Sequence, residues 1–443
     1  MADGCPGPGS SDLRRFDGRT RHLALADRLS HVIYAARDLN STDRTITAQC
    51  CIVGGGPAGM MLGLLLARAG VRVAVLEKHA DFLRDFRGDT VHPSTLELIY
   101  ELGLIDEFLT VPHRKVERFS AEIGGKRVQI LDLRHLPTHC KYIALMPQWD
   151  FLDFLAKQGR RYGTFDLHTQ TEATDLIEEG ARIVGVRART PQGELTCRAD
   201  LVVGCDGRHS TLRLKAGMRS DDFGAPMDVL WFRVTRQESD PAEIFGRIDT
   251  GAMLVMLDRG EYWQCAYVIP KGGFDRVKSE GIEAFRTRVR ALSPFLADRL
   301  TELRSFDDVK LLTVMVDLLR QWWRPGLLLI GDAAHAMSPV GGVGINIAVQ
   351  DAVAAANRLA SPLRLGQVKP VDLQAIQQRR VWPARMTQRV QLIMQNRLIG
   401  PALQGARRPK PPLLFELLNA VPVLRRVPAR MLAVGFRPEH IRT

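Results

Sequence analysis

Three glycines and one acidic residue near the start of the chain have the spacing of a nucleotide-binding unit. An apolar stretch ends at Val53 and leads into the pattern Gly54-x-Gly56-x-x-Gly59, and Glu77 follows 23 residues after Gly54. In such a turn the glycines permit a sharp bend, a close backbone approach to a pyrophosphate and tight helix–strand packing, while the acid accepts hydrogen bonds from an adenosine ribose. A tight turn without a ligand is the alternative. The residues predicted to form a dinucleotide site are Gly54, Gly56, Pro57, Ala58, Gly59, Glu77 and Lys78.

Two further short motifs follow apolar stretches that are typical of buried strands. Residues 201–203 lead towards an Asp-Gly pair, and residues 327–330 lead into a Gly-Asp pair. An Asp-Gly pair alone would be an ordinary turn, but ligands of open α/β sheets bind at the carboxyl ends of strands. The dense glycines that follow precede a predicted helix, whose N-terminus offers free N–H groups to a ligand. The residues predicted to bind a ligand here are Asp206, Gly207, Gly331, Asp332, Gly342, Gly344, Ile345 and Asn346.

Four single residues complete the set of candidates. Arg87 lies in a loop after the nucleotide-binding unit, where it either holds a phosphate by charge or is a solvated surface arginine. Gln148 opens a predicted helix. His335 is either a proton shuttle or a structural histidine held by hydrogen bonds, and it is a catalytic candidate together with Pro339. No residue is assigned firmly to catalysis.

The strands and helices that must position these residues alternate along the chain, but residues 221–270 differ. Their β-rich runs, with turns at residues 258–260 and 271–273, indicate a separate antiparallel sheet. Large apolar side chains on strands either line a ligand pocket or belong to a core, and the pattern does not separate the two. The residues concerned are Trp231, Phe232, Met253, Met256, Tyr262, Trp263 and Tyr267.

The composition is that of an ordinary globular protein. The 443 residues suffice for two or three domains, and 45% are hydrophobic and 25% charged. There is no run of 18 uncharged apolar residues, so we expect no transmembrane helix. The seven cysteines lack a Cys-x-x-Cys pair and no secretory signal is evident, which predicts a cytoplasmic protein with neither disulfides nor a metal site.

The basic charge is confined to the C-terminal segment. The net charge is +12, and residues 363–443 alone hold 15 Lys and Arg against 3 Asp and Glu, which is also +12. No nucleic-acid-binding motif accompanies this charge, so we predict no nucleic-acid partner. Between residues 411 and 436, apolar clusters alternate with arginines and prolines. Such a basic amphipathic segment either lies weakly on an anionic membrane or packs on the rest of the protein.

The order of the three motifs resembles that of the flavin-dependent aromatic hydroxylases, the single-component monooxygenases typified by para-hydroxybenzoate hydroxylase. The resemblance covers roughly residues 46–360 and rests on the glycine triplet with its acid and on the two later pairs. It implies FAD, with the acid on the adenosine ribose. Gly331-Asp332 would lie at the ribityl chain, and Asp206-Gly207 near the pyrophosphate and the path of the nicotinamide.

The resemblance also bears on the two single residues before the second motif. Arg87 matches the loop arginine of the family. Gln148 stands where many members have an arginine, and Phe151 replaces the leucine that follows it in those members. A cofactor contact by Gln148 is therefore a weaker expectation than one by Arg87.

The fold class implied is α/β: a Rossmann-like FAD-binding domain, an inserted antiparallel β-sheet substrate domain and a C-terminal helical segment. The N-terminal extension is expected to be poorly ordered. The expected division is residues 1–45 for the extension, 46–113, 141–220 and 306–362 for the FAD-binding domain, 114–140 and 221–305 for the substrate domain, and 363–443 for the basic helical segment.

The activity implied is a monooxygenase that uses NAD(P)H and O2 to hydroxylate an aromatic or similarly electron-rich small molecule through a flavin hydroperoxide. NAD(P)H would be a transient co-substrate, because the chain has no second strand–glycine–helix fingerprint. The helix N-terminus at residues 344–346 would stabilise the negative charge of the reduced flavin. The alternatives left open are a flavin-dependent reductase and a non-catalytic flavoprotein. Halogenation is disfavoured, because residues 265–270 keep only the Ile-Pro end of the halogenase signature.

Overall fold

The computed structural model describes residues 43–83, 90–241, 246–405, 410–411 and 413–443. The predictions made for residues 1–42 and for Arg87 lie outside these residues. Residues 43–45, expected to belong to a poorly ordered extension, instead begin the first strand.

The secondary structure of the described residues alternates between strands and helices through most of the chain. The strands are β1 (Asp43–Val53), β2 (Val73–Leu76), β3 (Thr90–Val91), β4 (Arg114–Val116), β5 (Arg118–Ile123), β6 (Lys126–Asp132), β7 (Ile143–Leu145), β8 (Phe165–His168), β9 (Glu172–Glu179), β10 (Arg182–Thr190), β11 (Gly193–Gly204), β12 (Ser220–Asp222), β13 (Met227–Thr235), β14 (Gly246–Asp249), β15 (Ala252–Asp258), β16 (Tyr262–Pro270), β17 (Lys310–Leu312), β18 (Asp317–Leu319), β19 (Trp323–Arg324) and β20 (Leu327–Leu329). The helices are α1 (Pro57–Arg68), α2 (Pro93–Glu101), α3 (Ile105–Phe108), α4 (Gln148–Gly159), α5 (Thr211–Lys215), α6 (Phe274–Ser279), α7 (Ile282–Leu292), α8 (Gly344–Arg364), α9 (Pro370–Met394), α10 (Gly400–Gln404), α11 (Leu413–Ala420) and α12 (Arg426–Ala433).

The first sheet is built around β1, which pairs in parallel with β2 on one side and with β11 on the other. Parallel β8 and β20 extend it, so the path through the described strands is β19-β20-β11-β1-β2-β8, with the antiparallel strands β10 and β9 branching from β11. Val53 pairs with both Leu76 and Gly204, and Gly204 pairs with Leu329. Because these strand ends are aligned, the residues that follow them are neighbours at one edge of the sheet.

Apolar helices cover the first sheet. Helix α1 is buried from Ala58 to Ala67 and packs against α8 and α4. A helix that is buried all round needs apolar residues on every face, which explains why residues 60–67 lack a polar side chain. The tight packing fixes where the N-terminal turns of α1 and α8 lie relative to the strand ends.

The second sheet differs in one respect from the antiparallel sheet that the β-rich pattern predicts. Its path through the described strands is β17-β13-β16-β15-β14-β5-β6, and β13, β16 and β15 pair antiparallel as expected. However, β14 pairs with β5 in parallel, because β5 and β6 come from an earlier part of the chain and add to the edge of the sheet. The opposite edge is closed by β17, which the expected division assigned to the FAD-binding domain, and this pairing satisfies backbone groups of β13.

The C-terminal segment packs on the rest of the protein. Ala429 and Ala433 of α12 are buried against the second sheet. Near the chain end, Arg68 of α1 donates a hydrogen bond to the carbonyl oxygen of Thr443 at 2.6 Å, and Asn357 of α8 donates one to His440 at 2.8 Å. Over the described part of the chain, no helix has the length and apolar character needed to cross a membrane.

Candidate active site

The glycine triplet after β1 combines two packing glycines with one that faces open space. Gly54 has a φ of +103°, and a Cβ there would overlap the carbonyl oxygen of Cys205. A Cβ on Gly59 would overlap the carbonyl oxygen of Gly54. At Gly56, by contrast, a Cβ would have no described heavy atom within 4 Å. The bend and the close packing therefore need Gly54 and Gly59, whereas Gly56 leaves room for a ligand beside the backbone.

Glu77 braces the glycine turn. Its side chain is buried, and its two carboxylate oxygens accept hydrogen bonds from the N–H of Gly55 at 2.8 Å and from the N–H of His79 at 3.0 Å. Beyond the acid lies a cavity of about 430 Å³, whose lining residues are Lys78, His79, Ala80, Gln170, Glu172, Arg189, Thr190 and Pro191. Lys78 is thus exposed next to the position where the ribose is predicted.

The Asp206-Gly207 pair lies beside the glycine turn, at the end of β11. The N–H of Cys205 donates to the carbonyl oxygen of Val53 at 2.7 Å, which fixes this neighbourhood. Asp206 accepts hydrogen bonds from Ser210 Oγ at 2.6 Å and from the N–H of Leu212 at 3.1 Å. Burial raises the pKa of Asp206, and these hydrogen bonds oppose the rise. Its carboxylate therefore holds the start of α5, so a direct ligand contact by Asp206 stays a prediction.

The Gly331-Asp332 pair is wedged between the first turns of two helices. Gly331 has a φ of +60°, and a Cβ there would lie 3.2 Å from the Cβ of Ala348 in α8 and 3.3 Å from that of Ala58 in α1. The Asp332 carboxylate is half-buried, and its Oδ2 lies 3.4 Å from Arg208 Nη2. The last two motifs are therefore linked by an ion pair. The sequence reasoning did not include Arg208, although its position directly after the Asp-Gly pair is a usable signal.

The N-terminus of α8 is anchored on one side and open on the other. Asn346 is buried, and its Oδ1 accepts hydrogen bonds from the N–H of His92 at 3.1 Å and from Thr95 Oγ1 at 2.6 Å. Gly342 has a φ of +63°, and its carbonyl oxygen accepts a hydrogen bond from the hydroxyl of Thr90 at 2.8 Å. A Cβ on Gly344 would meet no described heavy atom within 4 Å. Open space thus lies beside Gly344 in the first turn of a 21-residue helix, where N–H groups lack intrahelical partners, while Ile345 next to it is buried.

His335 belongs to a buried ionic network behind the Gly331-Asp332 pair. Its Nε2 lies 2.5 Å from Oδ2 of Asp351, and the same oxygen accepts a hydrogen bond from the N–H of Gly331 at 3.1 Å. Oδ1 of Asp351 accepts from Arg380 Nε at 2.8 Å, and Arg380 Nη1 lies 3.4 Å from Glu439 Oε1. The exposed fractions are 1% for His335 and 0% for Asp351 and Arg380.

The charges of this network are set by its members. Burial lowers the pKa of His335, but the adjacent Asp351 carboxylate outweighs burial and raises it above the usual value. Burial raises the pKa of Asp351, and the neighbouring His335 and Arg380 more than offset this, so that pKa lies below the usual range. Because His335 is enclosed and paired, its geometry favours the structural interpretation over a proton shuttle, and a catalytic role stays a prediction.

Three glutamines on one helical face, two near the end of α9 and one directly after it, hold the segment that contains Pro339. Gln388 Nε2 donates to the carbonyl oxygens of Asp317 at 2.7 Å and Ala336 at 3.0 Å. Gln391 Nε2 donates to the carbonyl oxygens of Ser338 and Val340, both at 2.9 Å, and Gln395 donates to the Ser338 hydroxyl. The sequence reasoning treated this helix as a basic segment and missed these residues. Their spacing at 388, 391 and 395, which places them on one helical face, is the available signal.

The remaining candidates have simpler surroundings. Gln148 is the first residue of α4 and is half-buried, directly after Pro147. Pro339 is half-buried between two residues that the glutamines bind. The structure therefore brings together the glycine triplet, the Asp206-Gly207 pair, the Gly331-Asp332 pair and the N-terminus of α8, and it leaves Gln148 on a separate helix.

Comparison with known proteins identifies the family. The FAD binding domain family matches residues 47–390. A relative named 6-methylpretetramide 4-monooxygenase, from Streptomyces rimosus, is 35% identical over 381 residues, which cover 85% of this chain and 91% of the relative. Rifampicin monooxygenase from Streptomyces venezuelae is 29% identical over 320 residues, which cover 68% of this chain and 61% of that longer protein.

A solved structure shares the fold. The p-nitrophenol 4-monooxygenase from Pseudomonas putida DLL-E4 superposes with a TM-score of 0.71 at 21% identity, covering 89% of this chain and 100% of that one. The family match and the named relatives confirm the predictions of FAD and of an oxidoreductase. The chain belongs to the FAD-dependent aromatic hydroxylases and is a monooxygenase that hydroxylates aromatic compounds.

Proposed function

We propose that this monooxygenase takes its electrons from NAD(P)H and hydroxylates a fused-ring aromatic compound of the kind for which its 35% identical relative is named. NAD(P)H, a proton, O2 and the substrate would give NAD(P)+, water and the hydroxylated product. The observation that carries the cofactor half of this proposal is the pair of open glycines, Gly56 and Gly344, at the N-termini of α1 and α8. Gly331 lies against the first turns of both helices.

These residues fit a bound FAD. Gly56 and the N-terminus of α1 would hold the pyrophosphate, and Glu77 would accept hydrogen bonds from the adenosine ribose. Asp332, which pairs with Arg208, would face the ribityl hydroxyls. When bound, FAD supplies the electron transfer from NAD(P)H and the activation of O2.

The chain contributes charge stabilisation and rigidity. The N–H groups at the start of α8 would stabilise negative charge on the flavin. Their positions are fixed by the fold, so they would not have to reorient when the charge develops. Asn346 holds this helix end through His92 and Thr95, so the N–H groups do not have to reorganise. Gln391 and Gln395 fix the segment around Pro339 on the other side.

The second sheet would form the substrate side of the site, with residues 114–140 and 221–305 acting as the substrate domain and most of the remaining chain as the FAD-binding domain. Support comes from the sheet face that carries Val268, because Val340 of the glycine-rich segment packs against the buried cluster that contains Val268. An apolar surface beside the flavin edge suits an aromatic ring system.

The test is a set of parallel assays on purified protein with anhydrotetracycline and p-nitrophenol as probes. We expect bound FAD, probe-stimulated oxidation of NADH or NADPH, matching consumption of O2, and a product that carries one oxygen atom from isotopically labelled O2. Reduced product without the label would establish the reductase alternative. Bound FAD without probe-stimulated turnover would indicate the non-catalytic alternative for these probes.

A second proposal concerns the surface formed by α11, the turn after it and the exposed side of α12. Leu417 is 49% exposed, Val423 61% and Val427 60%. Arg426 and Arg430 of the same surface are also exposed. We propose that this surface makes weak, salt-sensitive contact with anionic membranes, which would give access to lipophilic aromatic substrates.

A further inference from the structure

The two faces of the second sheet have different coverings. Alternate residues of β13 point to opposite faces, so Leu230 and Phe232 pack with Phe285 of α7 in a closed aromatic core. Val229 and Trp231 point to the other face. That face is covered by separate elements rather than by one packed layer, and its neighbours are the segment after Pro339, the end of α9 and α12.

Trp231 lies where these coverings meet. Trp231 packs against two buried clusters: Leu392 of α9 also packs against the first, and Leu432 of α12 against the second. Ala266 is its cross-strand partner in the sheet. The Ala266 side chain is a single methyl group and covers less of the indole than a larger cross-strand partner would. The Trp231 ring is accordingly only half-buried, although it stands between apolar clusters.

The indole N–H of Trp231 is buried and has no acceptor among the described residues. On the opposite face, Trp263 shows what a structural indole does in this sheet, since its Nε1 donates to Asp240 Oδ2 at 2.7 Å. A buried donor that is left unpaired costs about 1–3 kcal/mol relative to a paired one. Such a group in a folded protein calls for a partner that the protein itself does not provide.

We propose that the Trp231 indole N–H donates a hydrogen bond to a phenol or carbonyl oxygen of the aromatic substrate and thereby orients its ring system. This inference rests on the proposed function and deepens it. The face around Trp231 is apolar, with Val229, Val255 and Ala266 as neighbours, so one directed donor would select the oxygenated edge of the substrate. Trp231 is then a substrate-positioning residue, and it takes no part in proton or electron transfer.

The primary test replaces the donor and keeps an aromatic ring. In Trp231→Phe we expect KM for anhydrotetracycline to rise about 3- to 10-fold, the usual worth of one hydrogen bond, with a smaller change in kcat. The matched control is Trp322→Phe, which removes another buried indole N–H without a described partner, next to His335 in the core of the first sheet. We expect that variant to leave KM unchanged.

A second measurement does not depend on the variant folding well. In NMR spectra of wild-type protein with isotope-labelled indoles, the Trp231 N–H signal should move downfield as anhydrotetracycline is added, while the Trp263 signal stays in place. An unmoved Trp231 signal at saturation, or equal KM values in wild type and Trp231→Phe, would overturn the inference while leaving the proposed function intact. If wild-type protein neither binds the probe nor oxidises NAD(P)H with it, both proposals are overturned for this substrate class.

Discussion

The two large sheets in the described part of the chain make their functional surfaces in different ways. At the carboxyl edge of the first sheet, the geometry comes from backbone: glycines in conformations with positive φ, helix N-termini, and hydrogen bonds from Gly55 and Gly331 to acidic side chains. On the face of the second sheet that meets the glycine-rich segment, the geometry comes from apolar side chains such as Trp231 and Val255. A binding site made of backbone groups requires particular residues at fixed spacing, whereas an apolar binding surface requires only side chains of suitable shape.

This difference explains which half of the site has a sequence signature. A cradle for phosphates tolerates no side chain at Gly54 or Gly59, so the motif stays recognisable. An apolar face can be rebuilt with other residues of similar volume, so its sequence records little beyond the alternation of a strand. The substrate is therefore the part of the function that must be sought in the structure.

The largest loss of folding stability should come from breaking a buried ion pair, either near the first sheet or in the region of the second sheet. Arg380→Met removes the partner of Asp351 near the first sheet, and Arg299→Met removes the partner of Asp240 in the second-sheet region, where both side chains are at most 7% exposed. Each change removes the arginine from a buried carboxylate, although Asp351 keeps His335 and Asp240 keeps the Trp263 indole N–H. Because these remaining partners do not replace the lost charge pair in full, urea unfolding should show about 3–5 kcal/mol lost in both variants.

The two variants should differ in FAD affinity. Asp351 also accepts the N–H of Gly331, so Arg380→Met should weaken FAD binding in a fluorescence titration, and Arg299→Met should not. Equal FAD dissociation constants for the two variants would show that the network stabilises the fold without positioning the cofactor site.

His92 lies between the two regions and should make their contact sensitive to acid. It is fully buried, its Nδ1–H donates to the carbonyl oxygen of Leu432 in α12 at 3.0 Å, and burial lowers its pKa to about 4. As pH falls below the usual pKa of histidine, His92 becomes protonated in the unfolded chain but stays neutral in the folded protein. The folded state should thus lose about 3 kcal/mol between pH 6.5 and pH 4, and this contribution is fully present above pH 6.5.

The check for His92 is the slope of unfolding free energy against pH. His92→Gln should flatten the slope over that window, whereas substitution of the exposed His139 by glutamine should not. An unchanged slope in His92→Gln would mean that other groups dominate the acid response.

His335 affects the pH dependence of stability in the opposite sense. Its pKa is raised, so its contribution to stability is lost as pH rises through that pKa.

The open glycine of the first sheet provides a cleaner separation of binding from folding. Gly56→Val places a side chain where no described atom lies within 4 Å, so the protein should fold but meet FAD with a steric clash. Overpacking of this kind costs about 1–3 kcal/mol, which corresponds to FAD affinity lowered about 5- to 150-fold. Purified variant should be nearly colourless.

The matched control for Gly56 lies in the second sheet. A Cβ on Gly246 would lie 3.8 Å from the nearest described atom, the carbonyl oxygen of Leu254, so Gly246→Val should keep its FAD. A yellow Gly56→Val protein with wild-type flavin content would remove Gly56 from the pyrophosphate site.

The grouping of the three motifs at one edge of the sheet was predictable, because it follows from the parallel arrangement of the strands that precede them. Apolar stretches before Gly54, Asp206 and Gly331 indicated buried strands, and parallel strands bring their carboxyl ends to one edge. The braces behind that edge were not predictable in the same way. Gln391 binds carbonyl groups and Gln395 binds the Ser338 hydroxyl of a loop more than 50 residues earlier in the chain, and such amide contacts leave no charge pattern.

The same limit applies to the ionic network and to the second sheet. Asp351 and Arg380 lie on different helices, and nothing in their sequence spacing indicates that the 28 residues between them fold back. The parallel pairing of β5 with β14 joins strands that are more than 100 residues apart, so local alternation predicts both strands but not their partnership.

The smallest effect is expected at the outer surface of α11, which packs on β6 at the edge of the second sheet. A truncation before Arg407 would be a poor test of membrane contact, because it also removes Glu439, which pairs with Arg379 at 2.6 Å and belongs to the buried network. Arg425 likewise serves the fold, since it donates to the carbonyl oxygen of Leu418 at 2.7 Å. Point changes on the exposed residues avoid this confusion.

Leu417→Ser combined with Val423→Ser should therefore reduce co-sedimentation with phosphatidylserine vesicles at low salt and leave FAD content unchanged. Each arginine near an anionic surface contributes about 1 kcal/mol, and salt screens it, so wild-type binding should disappear at high salt and with neutral phosphatidylcholine vesicles. The matched control is Leu365→Ser, which removes an apolar side chain that is 65% exposed at the far end of α8. If the double variant binds as well as wild type, or if wild type does not bind even at low salt, the α11 surface covers the second sheet and does not attach the enzyme to a membrane.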